Sequence, residues 1–398
     1  MSGGIDIKHI KEVDFELSSI CNAGCPVCKR RRDGHFSEFK QTYWSLEEVQ
    51  RVFDIEILEN IEVLSICGNM GDAMGNPDII PIIEWVRKIN PTCWINLRTN
   101  GGIGTPDQYK RLAELRVLIT FGIDGIGEKN ELYRVNAKWE RILPNLEEFA
   151  RNAESWQKEI QFLMWAETLD QLIPIIDLAK RIGCGRLNLR IPFTHGEKTE
   201  VHDMKGRGVH FLTLSEHPLV QKLGSKLWNN FEFDGIREEI LQSDITASPL
   251  KTSDYQIKPR TIKKEKPYTP LPVAYRSDEL DRVKDINKQT CFSKNIKNRE
   301  DLQQNNYSIY VTYNKMLMPC CMIPPVIGEF IKYSEDIQEG FHIEMMNRLY
   351  DVGFENFSLE NKTIKQVFES GVLHKFVYDE LEKNISFGLC KINCGVCK

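Results

Sequence analysis

The sequence predicts an α/β fold, a partial (β/α)6 TIM-like barrel followed by a small α+β domain at the C-terminal end. Three observations lead there. From residue 13 to 193, short apolar runs alternate strictly with longer amphipathic ones, which is the pattern of a parallel sheet with helices outside. There are six such units, too few for the eight of a closed barrel. After Phe193 the pattern breaks, and cysteines gather again only from Cys291 onward.

The elements follow from local patterning. Val13, Phe15 and Leu17 alternate with Asp14 and Glu16, so the first strand is expected over 13–18. Further strands are expected over 62–67, 93–98, 117–123, 159–166 and 186–193. Between them, helical periodicity predicts helices over 45–60, 77–90, 106–115, 139–154 and 169–182. Pro77 and Asp78 suit a helix start, and Gly183 suits the stop after Arg181 and Ile182. Helical stretches are also expected over 217–231 and 235–243. A hairpin over 307–318 turns at Asn314 and Lys315, and a helix covers 363–383. The domains read as 1–195 for the barrel, 196–290 for a linker or insert able to cover the barrel mouth, and 291–398 for the C-terminal domain.

The chain has 398 residues, 41% hydrophobic and 27% charged, with a formal net charge of −5. That length predicts two domains, and the composition is that of a globular protein with a sizeable core. The acidic balance argues against nucleic acid as a partner. No apolar segment reaches membrane-spanning length and no signal-peptide core is present, so the expected location is cytoplasmic and no membrane partner is expected. Thiols stay reduced there, and clustered cysteines read as metal ligands rather than disulfides. Of twelve cysteines, three fall at 21–28, six between 291 and 397, and Cys67, Cys93 and Cys184 stand apart.

Cys21, Cys25 and Cys28 leave the first strand as CxxxCxxC. Three thiolates can hold three corners of a [4Fe–4S] cube and leave one iron open to a ligand. A zinc knuckle is the alternative, with His35 its only nearby fourth ligand. By barrel logic the βα loops at the carboxyl ends of the strands carry the chemistry, which is where this triplet lies.

With that motif in that place, the chain resembles the radical S-adenosylmethionine (SAM) enzymes. The resemblance implies a [4Fe–4S] cluster whose open iron is chelated by SAM, cleavage of SAM to a 5′-deoxyadenosyl radical, and hydrogen abstraction from a substrate. It further implies an external one-electron reductant of the flavodoxin or ferredoxin type. Gly71 and Asp72 resemble the family's Gly-Glu-Pro segment, with Asp for Glu and Ala73 for Pro; capping of the next helix is the alternative role for Asp72. Asn100 lies in Thr99-Asn100-Gly101, like the family's Thr-Asn-Gly. Asp124 and Arg134 match its Asp-Gly and Tyr-Arg stretch, although Gly122 stands where many relatives have Ser. Asn188 and Arg190 alternate with Leu187 and Leu189 on the sixth strand, where the SAM ribose and carboxylate would satisfy them, as would a salt bridge to a helix. Val27 replaces the aromatic residue many relatives place near adenine, so adenine recognition must lean elsewhere.

The later cysteines resemble the twitch and SPASM extensions, which bind auxiliary clusters. Cys291, Cys320, Cys390, Cys394 and Cys397 are the candidate ligands of one auxiliary [4Fe–4S] cluster, with Cys321 as alternate, and a four-cysteine zinc site is the competing reading. Cys67 is a candidate hydrogen-atom donor, against the ordinary role of a buried strand Cys. The resemblance implies peptide or protein modification of the maturase type, with dehydrogenation or rearrangement of a small molecule or nucleoside as the alternative. With a first strand starting by residue 13, no peptide-recognition domain of the kind many peptide maturases carry is expected in front, which lowers the peptide reading without excluding it. Lys29-Arg30-Arg31-Arg32 offers four positive charges for phosphates. A non-catalytic Fe–S or zinc module is the reading from another class.

Overall fold

The computed structural model describes residues 7–28, 30–32, 35–36, 41–66, 68–192, 197–224, 226–245, 307–318 and 352–373. The six expected strands all form, as β1 (Ile10–Phe15), β4 (Val63–Ile66), β5 (Trp94–Thr99), β6 (Leu118–Gly122), β7 (Lys158–Leu163) and β8 (Arg186–Arg190). Between β1 and β4, the short strands β2 (Arg31–Arg32) and β3 (His35–Phe36) pair with each other. The main sheet runs β11-β8-β7-β6-β5-β4-β1-β12-β13, where β11 is Lys226–Asn229, β12 is Tyr307–Val311 and β13 is Leu317–Met318. From β8 through β1 to β12 every pairing is parallel; only β11 and β13, at the two ends, run antiparallel.

The helices are α1 (Leu46–Val52), α2 (Ile55–Asn60), α3 (Ile79–Ile89), α4 (Pro106–Glu114), α5 (Trp139–Asn152) and α6 (Leu172–Arg181), then α7 (Pro218–Leu223) and α8 (Phe233–Leu241). Consecutive strands lie side by side from β4 to β8, and right-handed crossovers in one direction put every intervening helix on the same face. Contacts between α3 and α4 and between α4 and α5 agree. The core fills the space between this helical layer and the sheet, with Phe121 packed on Tyr109 of α4 and Phe149 of α5. The opposite face carries no helix from these crossovers. This is the partial barrel that the alternation predicted.

Local chemistry explains the boundaries. α1 and α4 begin in reciprocal capping boxes, Ser45 with Glu48 and Thr105 with Gln108, and Pro106 occupies the first turn of α4. One helix expected over 45–60 is two, because Phe53 and Asp54 are extended. Phe53 is buried against Phe15 at 5.2 Å, and the Asp54 carboxylate accepts from the Lys365 amide at 3.0 Å. The helix expected over 217–231 ends at Leu223. A Cβ on Gly224 would meet Ile191 Cγ1 at 2.5 Å and the Val220 carbonyl at 2.7 Å, and the chain then pairs with β8 as β11.

Two further findings concern the regions outside the six units. β9 (Lys198–His202) and β10 (Gly208–Thr213) form an antiparallel hairpin within the stretch expected as a linker or insert. The hairpin expected over 307–318 forms with Lys315 at φ +64°, but its first strand joins the barrel sheet beside β1. The Trp44 indole donates to the Thr312 carbonyl at 3.0 Å across that junction. Of the helix expected over 363–383, the described part is Ile364–Glu369. Among the described residues no helix is long and apolar enough to cross a membrane.

Candidate functional site

The loop leaving β1 carries Cys21, Cys25 and Cys28 as free, partly buried thiols. It is held from several sides. The Asn100 amide, at the end of β5, donates to Cys21 Sγ at 3.5 Å and to Asn22 Oδ1 at 2.8 Å. The Ala23 amide also donates to Cys21 Sγ, at 3.4 Å. Gly24 donates to the Val135 carbonyl at 2.8 Å, and Asn136 to the Asn22 carbonyl at 2.8 Å. Arg30 turns back under the loop, donating to the carbonyls of Ala23 at 2.5 Å and Cys21 at 3.4 Å. Its charge sits among all three sulfurs.

Arg30 is only 3% exposed, so this member of the basic run is committed to the loop rather than to a phosphate-facing surface. Burial pushes the Cys21 thiol up to about 12, with Asp72 adding to the shift, and pushes Cys25 up to about 11. Iron binding at these positions must therefore displace protons. Among the described residues no three His, Cys, Asp or Glu side chains converge on a single metal ion. A cube has no such requirement, because each thiolate takes a separate iron. Three thiols, N–H donors aimed at sulfur and a buried guanidinium fit a three-cysteine cluster, since such hydrogen bonds tune a cluster and the cation offsets thiolate charge.

The loop after β4 packs directly on this one. A Cβ on Gly71 would lie 2.2 Å from the Ser18 carbonyl oxygen, so only glycine permits the approach. The next amide, of Asp72, donates to the Ile20 carbonyl at 2.9 Å. Asp72 is 3% exposed, and its carboxylate accepts from Met74 N at 3.0 Å, Thr99 Oγ1 at 2.8 Å and Asn100 N at 2.8 Å. Burial raises its pKa, and those three donors oppose the rise. Asp72 thus caps the short turn at Ala73–Gly75 and also ties the β4 loop to the β5 loop. One oxygen accepts a single bond and retains acceptor capacity.

Asp124, past the end of β6, is fully buried. It accepts from Arg134 Nε at 2.6 Å and from the Leu163 amide at 2.6 Å. Burial raises the Asp124 pKa and the Arg134 charge pulls it back; Asp124 and Cys25 in turn outweigh burial to keep Arg134 protonated. Gly122 explains its own departure from the family pattern. A Cβ there would meet the Arg134 guanidinium at 2.5 Å, so the space that a serine would take holds arginine instead.

Val27 packs in a small cluster with Cys25, Tyr133, Trp165, Val201 and Leu212. Tyr133 and Trp165 lie 5.7 Å apart, so aromatic rings do line this side of the cysteine loop although residue 27 is not one of them. On β8, Asn188 is partly buried and Arg190 exposed, both on the face opposite Leu187 and Leu189. Burial lowers the Arg190 pKa, and nearby Arg98 lowers it further.

The structure therefore gathers Cys21, Cys25, Cys28, Gly71, Asp72 and Asn100, with Asp124 and Arg134 adjoining through Cys25. Asn188 and Arg190 stand apart on β8. Cys67, Cys291, Cys320, Cys321, Cys390, Cys394 and Cys397 lie outside the described residues. Asn22 and Asn136 went unremarked in the sequence; an Asn immediately after the first Cys was the available signal.

Residues 15–153 match the family model described as Radical SAM superfamily. No curated protein matches the chain. Among solved structures, Streptococcus suis SuiB bound to S-adenosylmethionine is 13% identical with a TM-score of 0.44, over 80% of this chain and 60% of that one. TYW1 with a lysine-pyruvate adduct bound is 13% identical with a TM-score of 0.33, over 46% of this chain and 64% of that one. The chain thus spans less than two thirds of either. Native anSMEcpe with bound AdoMet is 14% identical with a TM-score of 0.47, over 97% of this chain and 89% of that one.

Proposed function

We propose that the protein is a radical SAM enzyme whose Cys21, Cys25 and Cys28 hold a [4Fe–4S] cluster with one iron left for SAM. The observation that carries this reading is the loop itself. Three thiols lie on the loop after β1, Cys21 receives N–H donors from Ala23 and Asn100, and the buried guanidinium of Arg30 sits among all three sulfurs. The family match over residues 15–153 supports it from the sequence side. Such a cluster, once reduced, supplies the electron that cleaves SAM to a 5′-deoxyadenosyl radical, which then takes a hydrogen atom from substrate.

The chain's own residues position and enclose. Asn100 and Asp72 hold the β4 and β5 loops against the cysteine loop, and the Gly71 backbone with the remaining acceptor capacity of Asp72 would receive the SAM amine. Arg134, anchored by Asp124, keeps positive charge beside Cys25. Asn188 takes the ribose. Tyr133, Trp165 and Val27 exclude water from the cluster's flank, with the β9–β10 hairpin packed over them through Val201 and Leu212.

Cys291, Cys320, Cys390, Cys394 and Cys397, with Cys321 as alternate, supply one auxiliary [4Fe–4S] cluster, and the reaction is a maturase-type modification of a peptide or protein. A flavodoxin- or ferredoxin-type protein delivers the electron, in the cytoplasm. The test is anaerobic purification, iron counting, and incubation with SAM and a strong reductant. We expect about eight irons per chain, four per cube, and release of 5′-deoxyadenosine. About four irons with zinc retained would overturn the auxiliary cluster, by the same count. A fully loaded protein that releases no deoxyadenosine would overturn the radical reading, and Cys25→Ala should abolish release in any case.

A further inference from the structure

We propose that the helix-free face of the sheet binds an anionic group of the substrate, a carboxylate or a phosphate, between Arg98 of β5 and Arg190 of β8. This rests on the radical SAM reading for the substrate's presence there, but the arginine pair is argued from the sheet alone.

Side chains alternate between the two faces of each strand. On β5, Ile95 and Leu97 are buried toward the helices while Asn96 and Arg98 face the other way; on β8, Asn188 and Arg190 do the same. On β1 that face carries Glu12 and Asp14. Along the pairing register, Asp14 is level with Ser65 and then Asn96, while Arg98 is level with Thr120, Glu159 and then Arg186. Barrel strands tilt, and a shear of 8 over 8 strands moves each level by about one residue per strand. Two strands on from Asp14, the level reaches Arg98. Three strands beyond Arg98, it reaches the neighbourhood of Asn188 and Arg190. The electrostatics agree, because Arg98 acts on Glu12 and Asp14 from one side and on Arg190 from the other.

Among the described residues, the two arginines at this level are not tied into ion pairs. Among the described residues, the guanidinium groups of Arg98 and Arg190 make no hydrogen bond or ion pair. Both are exposed, although β5 and β8 are interior strands of the sheet with helices behind them. Arg186, on the same face, is different, since it pairs with Glu159 at 3.3 Å. Glu12 and Asp14 do not neutralise the arginines fully. Burial pushes both carboxyls toward the protonated form, and Asp14 raises Glu12 further. The Arg190 guanidinium, which burial and the neighbouring Arg98 charge disfavour, gains from an oxyanion shared with Arg98, which a planar fork binds in two-pronged fashion.

Carboxylate and phosphate share this chemistry, and SAM's own carboxylate is the competing source. The experiment separates them. Cluster-loaded protein saturated with SAM is melted in rising succinate and, separately, inorganic phosphate, at constant ionic strength. Equilibrium dialysis measures SAM affinity in parallel. We expect dose-dependent stabilisation by at least one of the two anions. It should be lost in Arg98→Gln and in Arg190→Gln, each with SAM affinity within about twofold of wild type, a factor worth about 0.4 kcal/mol. Arg151→Gln, an exposed arginine on α5, controls for diffuse charge and should keep the effect. Stabilisation unchanged in both variants, or absent from wild type, would overturn the proposal. A tenfold or greater loss of SAM affinity in either variant would also overturn it, by assigning the pair to SAM. Failure of the radical reading has its own signature, no deoxyadenosine from a loaded protein, and leaves these melting curves interpretable.

Discussion

Glu12 shows how one strand position couples the free face to pH. Burial raises its pKa from 4.5 to about 7, with Asp14 adding to the rise and Arg98 opposing it. A carboxyl with a raised folded-state pKa contributes stability that is full below the unfolded value and lost as pH climbs through the folded one. The window therefore runs from about pH 4.5 to about pH 7. Glu12→Gln should raise the melting temperature at pH 8 and leave it near wild type at pH 5; thermal melts at the two pH values check this. Equal shifts at both would contradict the assignment. At Gly122 the argument is steric. Gly122→Ser puts a Cβ within 2.5 Å of the Arg134 guanidinium and must displace it from Asp124. Breaking a buried pair typically costs about 3–5 kcal/mol, so urea denaturation should show a loss on that order. The motif comparison alone suggested only a missing hydroxyl there; the arginine that fills the space is invisible in one dimension.

At the scale of elements, loops rather than strands make the site. The six strands were legible because alternation follows from burying one face of each. The loop contacts were not, because Asn100 reaches Cys21 from 79 residues away. Gly71→Ala tests the closest of them. Its methyl would overlap the Ser18 carbonyl, so the β4 loop must back away from the cysteine loop. We expect reduced iron retention after desalting, with circular dichroism close to wild type. The β9–β10 hairpin is hard to read in the sequence because the exposed residues Val209 and Phe211 blur its period. Leu212 on its inner face is fully buried against Tyr133 and Trp165. Leu212→Ala should cost about 2–5 kcal/mol in denaturant titration, the usual range for a buried leucine.

For the whole molecule, the informative feature is β12. The sequence placed 307–318 in a separate C-terminal domain, yet β12 extends the barrel sheet in parallel beside β1. Without it, β1 would present an unpaired edge and the Trp44 indole would lose the Thr312 carbonyl. A truncation ending at residue 245 should therefore associate or melt earlier than the full chain. Size-exclusion chromatography and thermal melting measure both, and a monomeric fragment of unchanged stability would refute the structural role of β12.

The sequence by itself determined the strands, the direction of the sheet and the place of Cys21, Cys25 and Cys28, because each depends on residues adjacent in the chain. Tertiary structure alone decided what surrounds those thiols: Asn100 and Ala23 on sulfur, Arg30 beneath, Asp72 joining two loops, and Arg134 in the space Gly122 leaves. It also set Arg98 and Arg190 on one face, their guanidinium groups without a hydrogen-bond or ion-pair partner among the described residues. Those relations depend on register and strand tilt, which bring distant residues together and leave no local pattern to read.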